Sequence, residues 1–181
     1  QGNIDPAYDL VKTIDRIDVS LGEVVEAVKR YRNIAGESNM LNSATERWLD
    51  VALIRRFLSD NLAFIRVAKQ YLGISHFYEV VKRLIFPEES HGKIGGKSTG
   101  LFLAQQILRS EVHNQPLLES IKVPRTWCIT TDALTEFLHY NNLEGLNEQK
   151  YKDLQEIRID YPNIIQTLKN AKFPPGIVKS L

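Results

Sequence analysis

One short stretch concentrates the groups that could hold an anion. It reads His91-Gly92-Lys93-Ile94-Gly95-Gly96-Lys97-Ser98-Thr99-Gly100, with four glycines, two lysines and two hydroxyls. Glycine permits positive φ and lets backbone N–H groups approach an oxyanion with no Cβ in the way. A helix is expected to open at Ser98 or Thr99. Its first N–H groups lack internal partners, and its macrodipole adds positive potential there. A nucleotide phosphate suits such an end, and lysine brings a full charge and three donors on a long reach.

A Walker A loop is the obvious comparison. That motif needs four residues between its first Gly and the Gly-Lys-Ser/Thr, whereas three separate Gly92 from Gly96. It also follows a buried strand, and residues 76–85 read as a helix. No later apolar run ends in a magnesium-binding Asp. A purely structural use of the glycines is a turn in which Gly100 permits close helix packing and both lysines face solvent.

The elements around this loop differ on its two sides. Residues 1–74 carry one of the seven prolines and long 3.6-residue periodicity. Ser20 with Glu23 fits a capping box. Leu21, Val24, Val25, Val28, Tyr31 and Ala35 then share a helical face, and Gly36 suits the stop. Ser43 with Glu46 repeats the capping pattern. One long helix is expected next, with Val51, Ile54, Leu58, Leu62, Ile65, Ala68 and Leu72 in a stripe that Gly73 ends. The short connection predicts an antiparallel pair. Arg55, Arg56, Arg66 and Lys69 read as its solvated face, and Asn61 as a register-fixing or hydrogen-bonded interior residue.

Residues 75–181 are richer in turns. Ser75 can cap a helix bearing Phe77, Val80, Val81, Leu84 and Ile85, which Phe86-Pro87 ends. After the loop, Leu101, Ala104, Gln105 and Leu108 are expected on one helical face. Residues 121–130 read as extended, with Val123, Trp127, Cys128 and Ile129 suiting a buried strand. Thr130 or Thr131 caps a helix to Tyr140, and Asn141-Asn142 with Gly145 makes a turn. Helices near 147–157 and 162–171 follow, the latter with Pro162 in its first turn. Pro174-Pro175-Gly176 is a break, and residues 177–181 read as the beginning of an element.

Composition narrows the function classes. The chain has 181 residues, 43% hydrophobic and 25% charged, with a net charge of +1. That balance offers no global field for nucleic acid or an anionic membrane. No apolar run approaches the ~20 residues that cross a bilayer, and Gln1-Gly2-Asn3 does not open a signal peptide. A cytoplasmic setting is the expectation. The lone Cys128 reads as a buried, inert thiol. His76, His113 and His139 are scattered without metal spacing, and His91 reads as a loop residue rather than a phosphoacceptor. No metal ligand or catalytic residue is assigned. Met40 is the single methionine, which suggests a processed chain or a piece of a longer protein.

The order of pieces is specific. Ile94-Gly95-Gly96-Lys97-Ser98-Thr99-Gly100-Leu101 is followed by a helix, then by Val123-Pro124-Arg125-Thr126-Trp127-Cys128-Ile129-Thr130-Thr131-Asp132-Ala133, then by Phe137-Leu138. This resembles the amino-terminal ATP-grasp region of the phosphoenolpyruvate synthase and pyruvate phosphate dikinase family, over residues 90–145 and more loosely 173–181. Arg125 and Thr126 stand where the family often has Pro-Gly.

The first 75 residues lie outside the resemblance; their periodicity and the resemblance together give the expectation of a predominantly helical α+β fold. A helical module, 1–74, would precede an incomplete ATP-grasp-type α/β subdomain, 75–181. The resemblance implies that Lys97 contacts ATP phosphates, that Gly95 and Gly96 shape the loop, and that Ser98 sits at the helix mouth, with Lys93 a lesser candidate. It further implies ATP-dependent phosphoryl transfer through a phosphohistidine, toward pyruvate, with Mg²⁺ and the remaining domains in a full-length protein. No phosphohistidine segment or acidic magnesium site is legible here, so the isolated chain is expected to be inactive. The rival reading is a non-catalytic helical regulatory or interaction module with a decayed ATP-grasp scaffold.

Overall fold

The computed structural model describes residues 6–35 and 43–180. The stop expected at Gly36 lies outside them, as does the Ser43 side chain of the second expected capping pair. The described chain is predominantly helical with little strand, and no helix in it is long and apolar enough to cross a membrane.

Helix α1 (Pro6–Asp15) packs on α2 (Leu21–Ala35), and α2 on α5 (Ile74–Val81), with α3 (Ser43–Phe57) alongside. The Ser20 capping box forms in both directions: Glu23 N–H donates to Ser20 Oγ at 3.2 Å and Ser20 N–H to Glu23 Oε2 at 3.0 Å. Leu21, Val24, Val25, Val28 and Tyr31 are buried, as their spacing requires. The larger apolar cluster among the described residues runs from Ala7 to Leu103. At its centre the rings of Phe57 and Phe77 lie 5.7 Å apart and those of Phe77 and Phe102 6.2 Å apart.

The expected long helix is two. α3 closes with Leu58 and Ser59 both donating to Ile54 O, and α4 (Leu62–Ala68) starts afresh. Short polar side chains between them bond locally and so compete with the helix. Ser59 Oγ accepts from Asn61 N–H, and Asn61 Oδ1 accepts from Phe64 N–H at 3.0 Å. Asn61 is therefore an N-cap, not an interior residue, and Leu62 drops out of the stripe with 78% exposure.

The helix after Gly73 is shorter than expected. It ends at Val81, and Leu84–Ile85 form strand β1. A short buried apolar pair fits either state. β1 pairs in parallel with β2 (Cys128–Ile129), Leu84 opposite Cys128 and Ile85 opposite Ile129. Among the described residues this sheet has two strands. Trp127 and Ile129 are 54% and 48% exposed, so β2 is not the buried strand expected.

Helix α6 (Gly96–Glu111) buries Thr99, Leu103 and Gln106 rather than the face through Leu101 and Ala104. Beyond α7 (Asp132–Tyr140), residues Glu144–Tyr151 wind as 3-10 turns, and one helix, α8 (Leu154–Asn170), replaces two. Asp153 Oδ1 caps α8 by accepting from Gln155 and Glu156 N–H at 2.8 and 2.9 Å. Pro162 lies inside α8, where it removes one helical bond without ending the helix. α9 (Pro175–Ser180) buries Ile177 beside Ile85 and Ala133.

Asp50 meets the amino end of α5, where Gly73 offers no side-chain cap. Its Oδ1 is buried without a partner. Burial first, then the Glu46 charge, push its carboxyl up to about 6 against a bond from Ile74 N–H. The folded value exceeds the unfolded one, so folding is favoured at low pH and loses stability as pH rises toward and through 6. Asp50→Asn should stabilise the chain by about 1 kcal/mol at pH 7.5 and hardly at all at pH 4, the full shift being reduced for partial solvent access. Urea midpoints at the two pH values read this difference.

Candidate functional site

The loop divides into a root, residues 90–94, and a mouth, residues 95–98. The root cannot satisfy its own polar backbone, so other segments do. Ser90 O accepts from Leu21 N–H at 2.6 Å, and His91 O from Arg56 Nη1 at 3.1 Å. Lys93 O accepts from Thr131 N–H at 2.9 Å, while Lys93 N–H reaches Thr131 Oγ1 at 3.3 Å. Ile94 N–H donates to Phe57 O at 2.8 Å, and Ile94 O accepts from Thr99 Oγ1 at 3.1 Å.

The two N–H groups in the middle converge on one carboxylate. His91 and Gly92 N–H donate to Asp132 Oδ2 at 3.0 and 2.9 Å, and Ser90 Oγ donates to the same oxygen at 2.8 Å. Thr130 Oγ1 donates to Oδ1 at 2.6 Å. Burial alone would push the Asp132 carboxyl up. The bonds from Thr130, Ser90, Gly92 and His91 together outweigh it and hold the group below the ordinary carboxylate range. Gly92 is the glycine this packing demands, since a Cβ there would overlap the Asp132 carboxylate.

The mouth is built differently. Gly95 is the N-cap residue of α6 and supplies no side-chain acceptor. Thr99 N–H makes the first helical turn bond, to Gly95 O at 2.9 Å. The N–H groups of Gly96, Lys97 and Ser98 therefore have no acceptor among the described residues. Space is open around the Cβ positions of Gly95 and Gly96, and Gly95 has an ordinary φ of −60°. The space around Gly100 is open too, so it does not serve close helix packing.

The Lys97 side chain is exposed and has no ion-pair partner among the described residues. Lys93 differs: its ammonium pairs with Asp60, which also takes Arg55 Nε at 3.2 Å. Lys93 lines a groove of about 530 Å³ with Trp48, Val51, Arg55, Arg56 and Asp60. Ser98 lines a separate hollow of about 40 Å³ with Arg83, Phe102, Val123 and Cys128. The structure thus brings Gly95, Gly96, Lys97 and Ser98 together at one helix end and commits Lys93 elsewhere.

Several contributors were not legible as site residues. Arg56 is half-buried, not part of a solvated face, and donates to both His91 O and Val19 O. Asp132 is conspicuous only as the end of a Thr-Thr-Asp run, which reads as a helix start. Thr131 is the N-cap residue of α7 but makes no side-chain cap bond; Thr130 holds Asp132 and Thr131 holds Lys93. His91 is indeed a loop residue, used through its backbone. His76 has a local role, its Nδ1 accepting from Gly73 N–H at 3.0 Å. Burial pushes the Cys128 thiol up, in keeping with an inert group. A two-residue strand follows α5 before the loop, so the preceding element does not distinguish the loop from a Walker A motif, whereas the Gly92 to Gly96 spacing does. Among the described residues no three His, Cys, Asp or Glu side chains gather as a metal-ligand group.

Residues 91–181 match the family described as pyruvate phosphate dikinase, AMP/ATP-binding domain. No curated protein and no solved structure matches the chain.

The root and mouth glycines should respond oppositely to a methyl group. Gly92→Ala should lose roughly 2 kcal/mol or more of stability, through overlap with a hydrogen-bonded carboxylate. Gly95→Ala and Gly96→Ala should stay within about 0.5 kcal/mol or gain slightly, because the backbone conformation suits any residue. Equal losses at all three positions in urea unfolding would contradict this division.

Proposed function

Because the chain belongs to the pyruvate phosphate dikinase AMP/ATP-binding domain family, we propose that the mouth of its glycine-rich loop receives the phosphates of ATP. The observation that carries this reading is the contrast within the loop. Every N–H of residues 91–94 has an acceptor inside the protein, whereas those of residues 96–98 have none among the described residues. Free N–H groups at the start of a sixteen-residue helix, with its dipole behind them, are the groups a phosphate needs.

Roles follow from position. Lys97 supplies the charge. Gly95 and Gly96 keep side chains out of the approach, in space that nothing else fills. Ser98 sits at the helix mouth and contributes the third N–H, its hydroxyl lying against Cys128. Lys93 is the reserve cation, held by Asp60 until a stronger anion competes for it.

In this reading residues 75–181 are the amino-terminal part of an ATP-grasp-type α/β subdomain, its sheet represented by β1 and β2. Residues 1–74 are a helical module. The division is one of role, since the apolar cluster crosses it. The longer cytoplasmic protein would phosphorylate a histidine from ATP and pass the group on, toward pyruvate, with Mg²⁺ at the phosphates and its remaining domains completing the site. Phosphoryl transfer depends on positioning and on neutralising the γ-phosphate. The described residues supply one side of that arrangement, and the chain by itself would be inactive.

Calorimetry of the full-length protein with Mg-ATP tests the assignment. Lys97→Ala should weaken binding about tenfold, the order expected for a charge-assisted phosphate contact. Unchanged affinity in that variant would remove Lys97 from the site. No binding by the unaltered protein would favour a helical interaction module carrying a decayed scaffold.

A further inference from the structure

A backbone turn whose successive N–H groups point inward forms a nest for an anion. The loop root is such a nest, and it is already filled. Asp132 presents its carboxylate to His91 and Gly92 N–H and to the Ser90 hydroxyl, with Thr130 Oγ1 closing the fourth side. These partners are 40 to 42 residues away along the chain, apart from Thr130. We propose that Asp132 is the positioning residue of the nucleotide loop: a built-in anion that fixes the root and leaves the α6 mouth as the place where an external phosphate binds. The inference rests on the phosphate-binding reading of that mouth.

Three features support it. Gly92 approaches so closely that no Cβ fits, so the loop is shaped around the carboxylate. The neighbouring residues extend the hold, Thr131 binding both backbone polar groups of Lys93 and Thr130 bridging Ile94. Arg56 braces the opposite side through His91 O, and its charge favours the ionised Asp132. Residues 90–94 are thus fixed from both sides. The mouth begins one residue later, so its orientation is inherited from the root.

Asp132 touches no substrate in this arrangement, so the test must separate positioning from bulk stability. The full-length protein carrying Asp132→Ala is compared with Asp132→Asn and with Lys97→Ala. The readouts are Mg-ATP affinity by calorimetry and hydrogen exchange of the peptide covering residues 90–98. Asp132→Ala should bind Mg-ATP about tenfold more weakly and exchange the loop amides faster. Formate supplies a carboxylate of the size removed. It should restore both properties in Asp132→Ala and change neither in Lys97→Ala. Asp132→Asn keeps shape and an acceptor oxygen and should fall between, which carries the test if the alanine variant does not fold. A folded Asp132→Ala with unaltered affinity and exchange would overturn the proposal. So would formate that raises the melting temperature while leaving affinity and loop exchange unrestored. If the unaltered protein binds no Mg-ATP, the phosphate reading of the mouth fails; exchange at residues 90–98 still decides whether Asp132 holds the loop.

Discussion

A glycine-rich loop has a backbone that must be satisfied from outside itself. An unpaired buried N–H or C=O costs about 1–3 kcal/mol, and residues 90–94 have neither a ladder nor a helix of their own. They borrow partners from the residue that starts α2, the last turn of α3, and the threonines and aspartate at the start of α7. That requirement draws distant segments to one place. The Phe57 carbonyl is free for Ile94 because α3 ends there, and α3 ends because Ser59 and Asn61 spend their side chains locally. The break between α3 and α4 and the shape of the loop are two consequences of the same local competition.

Charge is distributed to the same end. Negative groups are placed on the root side: Asp132 in the nest, and Asp60 on Lys93 and Arg55. Arg56 stands between the two halves of the molecule, half-buried and bound to carbonyls from each. The positive end of α6 and Lys97 are left without a counter-charge among the described residues. Within a few residues the loop passes from donors taken up by the protein's own carboxylate to donors with no acceptor among the described residues. This arrangement suits the AMP/ATP-binding domain family to which the chain belongs.

Local chemistry was readable residue by residue. The Ser20–Glu23 box and the buried face of α2 follow from spacing alone, because helix caps and i, i+3, i+4 faces involve neighbours within one or two turns. The loop's position before a helix was legible for the same reason. Readings failed where two local rules compete. Leu58 and Leu62 continue an apolar stripe across a stretch whose polar side chains break the helix. Leu84 and Ile85 fit a helical face as well as a buried strand. Pro162 suits a first turn but is tolerated in α8, where the loss of one bond leaves the rest of the helix intact.

What the sequence determined by itself is the helical character, the capped start of α2 at Ser20, and a cluster of glycines, lysines and hydroxyls suited to phosphate. What only the tertiary structure decided is which of those groups are free. Lys93 and Lys97 are the same residue type four positions apart, and nothing in their spacing distinguishes them; Asp60 lies 33 residues from Lys93 and engages it. Gly92 and Gly96 look interchangeable until Asp132, 40 residues on from Gly92, occupies the space where a methyl group would go. Hydrogen-bond partners separated by that much chain are chosen by packing, which no short-range pattern encodes. The loop's composition suits a phosphate, and its folded surroundings engage the donors of the root within the protein while those of the mouth have no acceptor among the described residues.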